Sequence, residues 1–277
     1  MVRWTLSGFG DEIDADPAVQ LPVLLALGSR HVEVRSAWGV NVADLADEEV
    51  ARLADLLARH SIGVSAIASP IGKSGVYDDP ATELARLERV VWVARRLAAR
   101  YVRIFSFYRP DGVDVAATRD TVLSRMRAFA DVAERESVVL VHENEKLIYG
   151  DTPERVLDLV ESVGSSALKV AWDNANFVQV GVRPFSEGYA MLRPFIVYLQ
   201  VKDARAPDGI EVPAGLGDGE LRATLTALRD DGFVGFASLE PHLSDPAFPD
   251  VLSGPRRFGE AARAFRALTD DLGIELG

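Results

Sequence analysis

The sequence predicts a single (β/α)8 barrel of the TIM type, and three observations carry that expectation. Short β-rich runs alternate with longer segments of helical period, the pattern of repeated βα units around a parallel sheet. Eight such runs are present, and 277 residues is the size of one barrel. Helix-start and helix-stop residues fall between the runs where that architecture needs them.

Strands are expected over residues 4–9, 31–35, 63–68, 101–107, 138–143, 168–173, 196–202 and 235–240. Asp16-Pro17 places an N-cap residue before a proline at the first helical position, so a helix begins after strand one and Gly28 closes it. Val50, Leu53 and Leu57 form the apolar stripe of the second helix, which Gly63 follows. Asp79-Pro80 opens the third, with Leu84, Leu87, Val91 and Ala94 as its buried face. Val122, Met126, Phe129 and Ala133 mark the fourth, and Thr152-Pro153 opens the fifth, with Val156, Leu159, Val160 and Val163 before Gly164. The sixth, around residues 184–192, reads as short and irregular. Leu221, Leu225 and Leu228 mark the seventh before Gly232, and Phe258, Ala261, Phe265, Leu268 and Leu272 the last. One domain over residues 1–277 is expected, because no Pro/Gly-rich linker or charge block divides the chain and the glycine-rich piece 215–219 is too short to do so. Periodicity alone does not show that strand eight closes on strand one, so a doubly wound open sheet is the structural alternative.

With 48% hydrophobic and 26% charged residues the chain has material for a large core and a soluble surface, and no apolar run approaches the roughly 20 residues that cross a bilayer. The first ten residues lack the pattern of a secretory signal, and there is no cysteine, which removes disulfide and thiolate chemistry and fits a cytoplasmic location. A net charge of -12 repels phosphate backbones and speaks against nucleic acid as a partner.

In a barrel the C-terminal strand ends converge on one mouth, which is where polar residues carry chemistry. Strand five ends in Glu143, strand six in Asp173 and strand eight in Glu240, while Gln200 and Lys202 share the inward parity of strand seven. Glu143, Asp173, Gln200 and Glu240 follow one another at 30, 27 and 40 positions, each about one βα unit. Three clustered carboxylates repel unless one is protonated or a cation sits among them, and a hard divalent ion suits an oxygen shell. The plainer reading is that each acid caps the helix after its strand.

At His142-Glu143-Asn144-Glu145, Trp172-Asp173-Asn174-Ala175-Asn176, Gln200-Val201-Lys202-Asp203 and Leu239-Glu240-Pro241-His242 the chain resembles the xylose isomerase-like barrels, the sugar phosphate isomerase/epimerase superfamily, over nearly its whole length. The resemblance implies one divalent metal ion and a proton shuttle between two glutamates. Carried over, it makes Glu143 and Glu240 the catalytic pair and metal ligands, with Asp173 a third ligand. Gln200 stands where many members have a ligand histidine, and Asn176 where many have a substrate-contacting one. With Gln200 as the fourth ligand the shell is all oxygen, which ranks Mn2+ first, with Mg2+ and Co2+ as alternatives.

Further mouth residues are Glu33, Arg35, Lys73, Arg103, Phe107 and Arg205, with Trp38 as an apolar wall. Lys202, Arg205, Asn176, Trp38, Lys73 and Arg103 form the expected substrate-binding set, and Lys202 with Arg205 beside the glycine turn suits an anion. His242 could turn back toward Glu240 and replace the missing nitrogen, although an exposed loop histidine is the more ordinary reading. His142 has the opposite parity to Glu143 and is read as structural. The expected activity is a metal-dependent isomerase or epimerase of a keto- or aldo-sugar, sugar phosphate or cyclitol, working through an enediolate. The alternatives are a 3-keto-sugar lyase or dehydratase on the same site, and a non-catalytic barrel whose metal site has decayed. Phosphodiester cleavage would ask for more histidines than the four present and a basic face. The expected partner is a small sugar-like molecule, with no nucleic acid and no membrane; self-association into a homo-oligomer is left open.

Overall fold

The structure is a computed structural model that describes residues 2–244 and 252–277. Eight parallel strands, β1 (Val2–Gly8), β2 (His31–Val34), β3 (Gly63–Ala68), β4 (Tyr101–Ile104), β5 (Val139–Glu143), β6 (Leu168–Asp173), β7 (Ile196–Val201) and β8 (Phe236–Leu239), follow one another around the sheet in chain order. β8 pairs with β1 from Thr5↔Phe236 to Gly8↔Leu239, and a single bridge, Phe9↔Glu33, joins β1 to β2. A doubly wound sheet would reverse its strand order partway; this one does not, so the barrel reading stands. Residues Ile274–Leu276 add a short parallel strand beside the start of β1, which the sequence pattern does not announce.

The helices α1 (Pro17–Ala26), α2 (Asp47–His60), α3 (Pro80–Arg96), α4 (Val115–Glu136), α5 (Pro153–Val163), α6 (Asn174–Gln179), α7 (Leu221–Asp230) and α8 (Gly254–Asp271) alternate with the strands. Their starts follow local chemistry. Asp16 accepts from the backbone N–H of Ala18, and Asp79 from those of Ala81 and Thr82, satisfying donors that a helix N-terminus leaves open. α2, α3, α4, α5, α7 and α8 bury the apolar stripes read from the sequence, except that Leu84, Val163 and Leu272 are only partly buried.

The sixth unit is short and irregular around residues 184–195, as expected, running through three brief helical pieces, and it carries one further helix that was not expected, α6, which starts directly at the end of β6. Gly188 explains part of this. A Cβ there would stand 2.7 Å from Pro153 Cγ and 3.2 Å from the Trp172 ring, so the chain lies against β6 and α5 too closely for any side chain.

Inside the barrel the strands' inward residues stack in layers. Tyr101, Tyr198 and Phe236 close the lower end with ring centroids 5.7 to 6.3 Å apart, packed against Val141 and Ala171. Above them Ser7, Ser65 and Tyr198 form a polar tier, with Ser7 Oγ to Ser65 Oγ at 2.6 Å and Tyr198 Oη to Ser65 Oγ at 2.9 Å. The charged tier lies above that. Among the described residues no helix is long and apolar enough to cross a membrane.

Candidate active site at the barrel mouth

The last residues of β5 and β6, and the residue just past β8, bring Glu143, Asp173 and Glu240 to one place. One carboxylate oxygen from each lies within 4.8 Å of the others, and all three side chains are buried. The convergence follows from register: in parallel strands, Glu143 stands opposite Ala171, Asp173 opposite Gln200, and Gln200 opposite Ser238. Acids about one βα unit apart in sequence therefore finish within two residues of the same level in the sheet.

Three chain cations share the tier. Lys202 Nζ lies 3.0 Å from Asp173 Oδ2 and 3.2 Å from Glu240 Oε2. Arg103 Nη1 donates to Glu143 Oε2 at 3.0 Å and lies 3.5 Å from Glu240 Oε1, which Arg35 Nη1 approaches to 3.4 Å. Burial pushes the Glu143 carboxyl up from the usual range, against the pull of Arg103, and pushes Asp173 up to about 7 against that of Lys202. Glu240 is buried as deeply, yet Lys202, His242 and Arg103 together hold it well below the ordinary value.

The amides fix the frame. Asn144 and Asp173 exchange two hydrogen bonds, Asn144 Nδ2 to the Asp173 carbonyl at 2.9 Å and Asp173 N to Asn144 Oδ1 at 3.0 Å, which ties the ends of β5 and β6. Asp173 Oδ1 also accepts from Asn176 N at 2.8 Å and so caps α6, while Oδ2 receives no hydrogen bond and faces Lys202. The capping and site roles of this residue thus coexist on its two oxygens. Asn176 Nδ2 donates to Glu143 Oε1 at 3.0 Å.

The other expected residues are held by contacts of their own. Gln200 is at the right level, but its Nε2 donates to Glu33 Oε1 at 3.1 Å and its buried Oε1 has no hydrogen-bond partner. Glu33 also accepts from Tyr198 Oη at 2.8 Å, and burial raises it to about 7. Lys73 sits at the rim, 3.2 Å from Glu145 and over the Phe105 ring. Trp38 is half-buried, its indole N–H donating to Asp16 and its face carrying the Arg52 guanidinium. Arg205 is exposed on a two-stranded hairpin of Asp203–Arg205 with Ile210–Val212, whereas Lys202 is buried. The glycine turn 215–219 is filled from within: Asp203 accepts from the backbone N–H groups of Gly215, Gly217 and Gly219 at 2.9 to 3.1 Å. An anion beside this turn is already supplied by the chain.

Sequence reasoning missed Glu12, at the end of the turn Gly10–Glu12 after β1, and ranked His242 as a loop residue. His242 Nε2 lies 3.3 Å from Glu12 Oε1 and 3.5 Å from Glu240 Oε1. His142 is structural, as its parity indicates: it is buried on the helix side, with Nε2 2.9 Å from Ser106 Oγ.

Residues 21–274 match the family described as xylose isomerase-like TIM barrel. The chain belongs to that family. Over 156 residues it is 31% identical to a 2-epi-5-epi-valiolone 7-phosphate 2-epimerase of Actinoplanes sp., a stretch covering 56% of this chain and 55% of that protein. Over 148 residues it is 26% identical to a probable L-ribulose-5-phosphate 3-epimerase of Mycoplasma pneumoniae, covering 52% of this chain and 47% of that one. The match spans about half the length of each. A family structure from Mycobacterium smegmatis, described as a complex with magnesium, has the same fold with a TM-score of 0.71 at 22% identity, over 98% of both chains.

The donor set fits a divalent ion in one respect and strains it in another. Three buried carboxylates, one with an oxygen that receives no hydrogen bond, can hold a hard cation. Gln200 offers its free oxygen, but its amide is committed to Glu33, and Lys202 already neutralises part of the charge. Glu143, Asp173 and Glu240, with the free Oε1 of Gln200, are the residues that would hold the ion.

Proposed function

We propose that the chain is a divalent-metal-dependent epimerase or isomerase of a keto- or aldo-sugar, a sugar phosphate or a cyclitol. One observation carries this reading: acids from β5, β6 and β8 meet at the barrel mouth, with one carboxylate oxygen of each within 4.8 Å of the others. The epimerase names of two relatives agree with it.

When bound, the ion would polarise the substrate carbonyl and lower the cost of charge on its oxygen. Mn2+ is the reading for this centre, since imidazole is absent from its donor set, with Mg2+ and Co2+ as alternatives. Glu240, kept ionised by Lys202, His242 and Arg103, removes the proton next to the carbonyl, leaving an enediolate. Glu143 returns a proton to the same carbon. Delivery to the opposite face gives the epimer, and exchange with water resets both groups. Arg103 touches both glutamates and holds their spacing, while Asn176 orients Glu143. Lys202, Lys73 and Arg205 are the cations available to substrate oxygens, and Trp38 a rim wall.

Screening keto-sugars and their phosphates in D2O with added Mn2+ tests the reading directly. Deuterium should appear at the carbon beside the carbonyl, and chelation should stop it. A substrate turned over without label exchange in either direction would exclude proton abstraction.

A further inference from the structure

The charged tier contains more carboxylates than its lysine and arginines neutralise. Asp11 pairs with Arg35 at 2.8 Å, Glu143 with Arg103 at 3.0 Å and Asp173 with Lys202 at 3.0 Å. Glu240 borrows from all three of these cations. Glu33 is satisfied by Tyr198 and Gln200. Glu12 is different: its side chain is wholly buried, and among the described residues no lysine or arginine comes within ion-pair distance of it.

Its two oxygens are used unequally. Oε2 accepts from Ser253 Oγ at 2.5 Å and from the His242 backbone N–H at 3.0 Å, which fixes the carboxylate plane. Oε1 receives no hydrogen bond and points at His242 Nε2, which likewise has no hydrogen-bond partner. Across the gap stands Glu240 Oε1, while Glu240 Oε2 faces Lys202 and the Asp173 side. Three donor atoms thus converge within 4.8 Å, two of them without a hydrogen bond.

The spacing has room for an ion between the three groups. Nε2 lies 3.3 Å from one oxygen and 3.5 Å from the other. Two ligands each about 2.1 Å from a tetrahedral ion stand about 3.4 Å apart. Two carboxylates and one imidazole make the donor set of a borderline transition ion.

We propose that Glu12, Glu240 and His242 form a second divalent-cation site for a transition ion such as Zn2+, Co2+ or Mn2+, with Glu240 shared between it and the Glu143–Asp173 centre. The imidazole nitrogen that Gln200 does not provide is supplied here, from the loop after β8 rather than from β7. The site does not require the first centre to hold an ion.

The test is titration of chelator-treated full-length protein with Co2+ alone, read by calorimetric stoichiometry and by the visible absorption of the bound ion. Two equivalents are expected. His242→Gln, a half-buried side chain whose loss leaves the core intact, should remove one equivalent or weaken it at least about tenfold, the lower range even for residues that merely support a ligand. It should also lose the absorption of the nitrogen-ligated ion. Glu12→Gln should do the same, and Asp173→Asn should remove only the other equivalent. If the metal reading of the first centre is wrong, wild type binds one equivalent that His242→Gln abolishes and Asp173→Asn spares. If His242→Gln binds Co2+ with unchanged stoichiometry, affinity and spectrum, the contact is an imidazolium ion pair and the second site does not exist.

Discussion

Asp173 Oδ2 and Lys202 Nζ lie 3.0 Å apart with both side chains buried, so the strand-seven lysine places a tethered positive charge against one of the three converging acids. A divalent ion held by those acids competes with that ammonium for the same negative charge. Removing one partner of a buried pair costs about 3–5 kcal/mol, because the other charge is left uncompensated. Lys202→Met should therefore be less stable than wild type in EDTA and should gain more stability from added Mn2+. Thermal unfolding of both proteins with and without Mn2+ measures this; equal gains would show that ammonium and ion do not compete.

Replacing either glutamate of the proton-transfer pair should cost about 10²- to 10⁴-fold in turnover, the usual worth of a positioned acid or base. Glu240→Gln is expected to stop label uptake from D2O altogether, since it removes the group kept ionised. Glu143→Gln is expected to slow conversion more than label exchange, because its role is proton return. Full turnover by Glu240→Gln would remove it from the mechanism.

Asp203 supports the loop after β7 rather than the chemistry. Its carboxylate satisfies three backbone N–H groups of the glycine turn, and a Cβ at Gly217 would stand 2.4 Å from Asp203 Oδ1, so the turn is built around that carboxylate. Each donor left unpaired in a buried place costs about 1–3 kcal/mol. Asp203→Ala should lower the denaturant midpoint by an amount worth roughly 3 kcal/mol or more; a loss under about 1 kcal/mol would mean that water replaces the carboxylate freely.

His142 predicts the sign of one pH effect. Burial lowers its pKa to about 3 from an ordinary 6.5, so between those values the unfolded chain binds a proton that the folded chain refuses. Stability contributed by the neutral imidazole is present above pH 6.5 and is lost as pH falls toward 3, up to about 5 kcal/mol. His142→Asn should have lower stability than wild type at pH 7 yet lose less of it between pH 7 and pH 5. Urea unfolding at the two values checks this, and parallel losses in both proteins would contradict the burial account.

Much of the fold was legible because period and punctuation are local properties. The β3 and β6 bounds match the sequence reading residue for residue, and α1, α3 and α5 start at the prolines that follow Asp16, Asp79 and Thr152. The helix Asn174–Gln179 was not read because Asp173 both ends its strand and caps that helix, leaving no loop to signal the change.

What the sequence determined by itself was the set of inward acids, Glu143, Asp173 and Glu240, since strand parity and unit length place them at one end of one cylinder. What only the tertiary structure decided was the partners: Gln200 turned to Glu33, Lys202 among the acids, Asp203 inside the glycine turn, and Glu12 against His242. The backbone of His242 bonds to a carboxylate 230 residues earlier, and such a contact leaves no periodic trace. Strand alternation specifies which face a side chain takes, whereas its neighbour across the barrel is set by closure, which brings the two ends of the chain together.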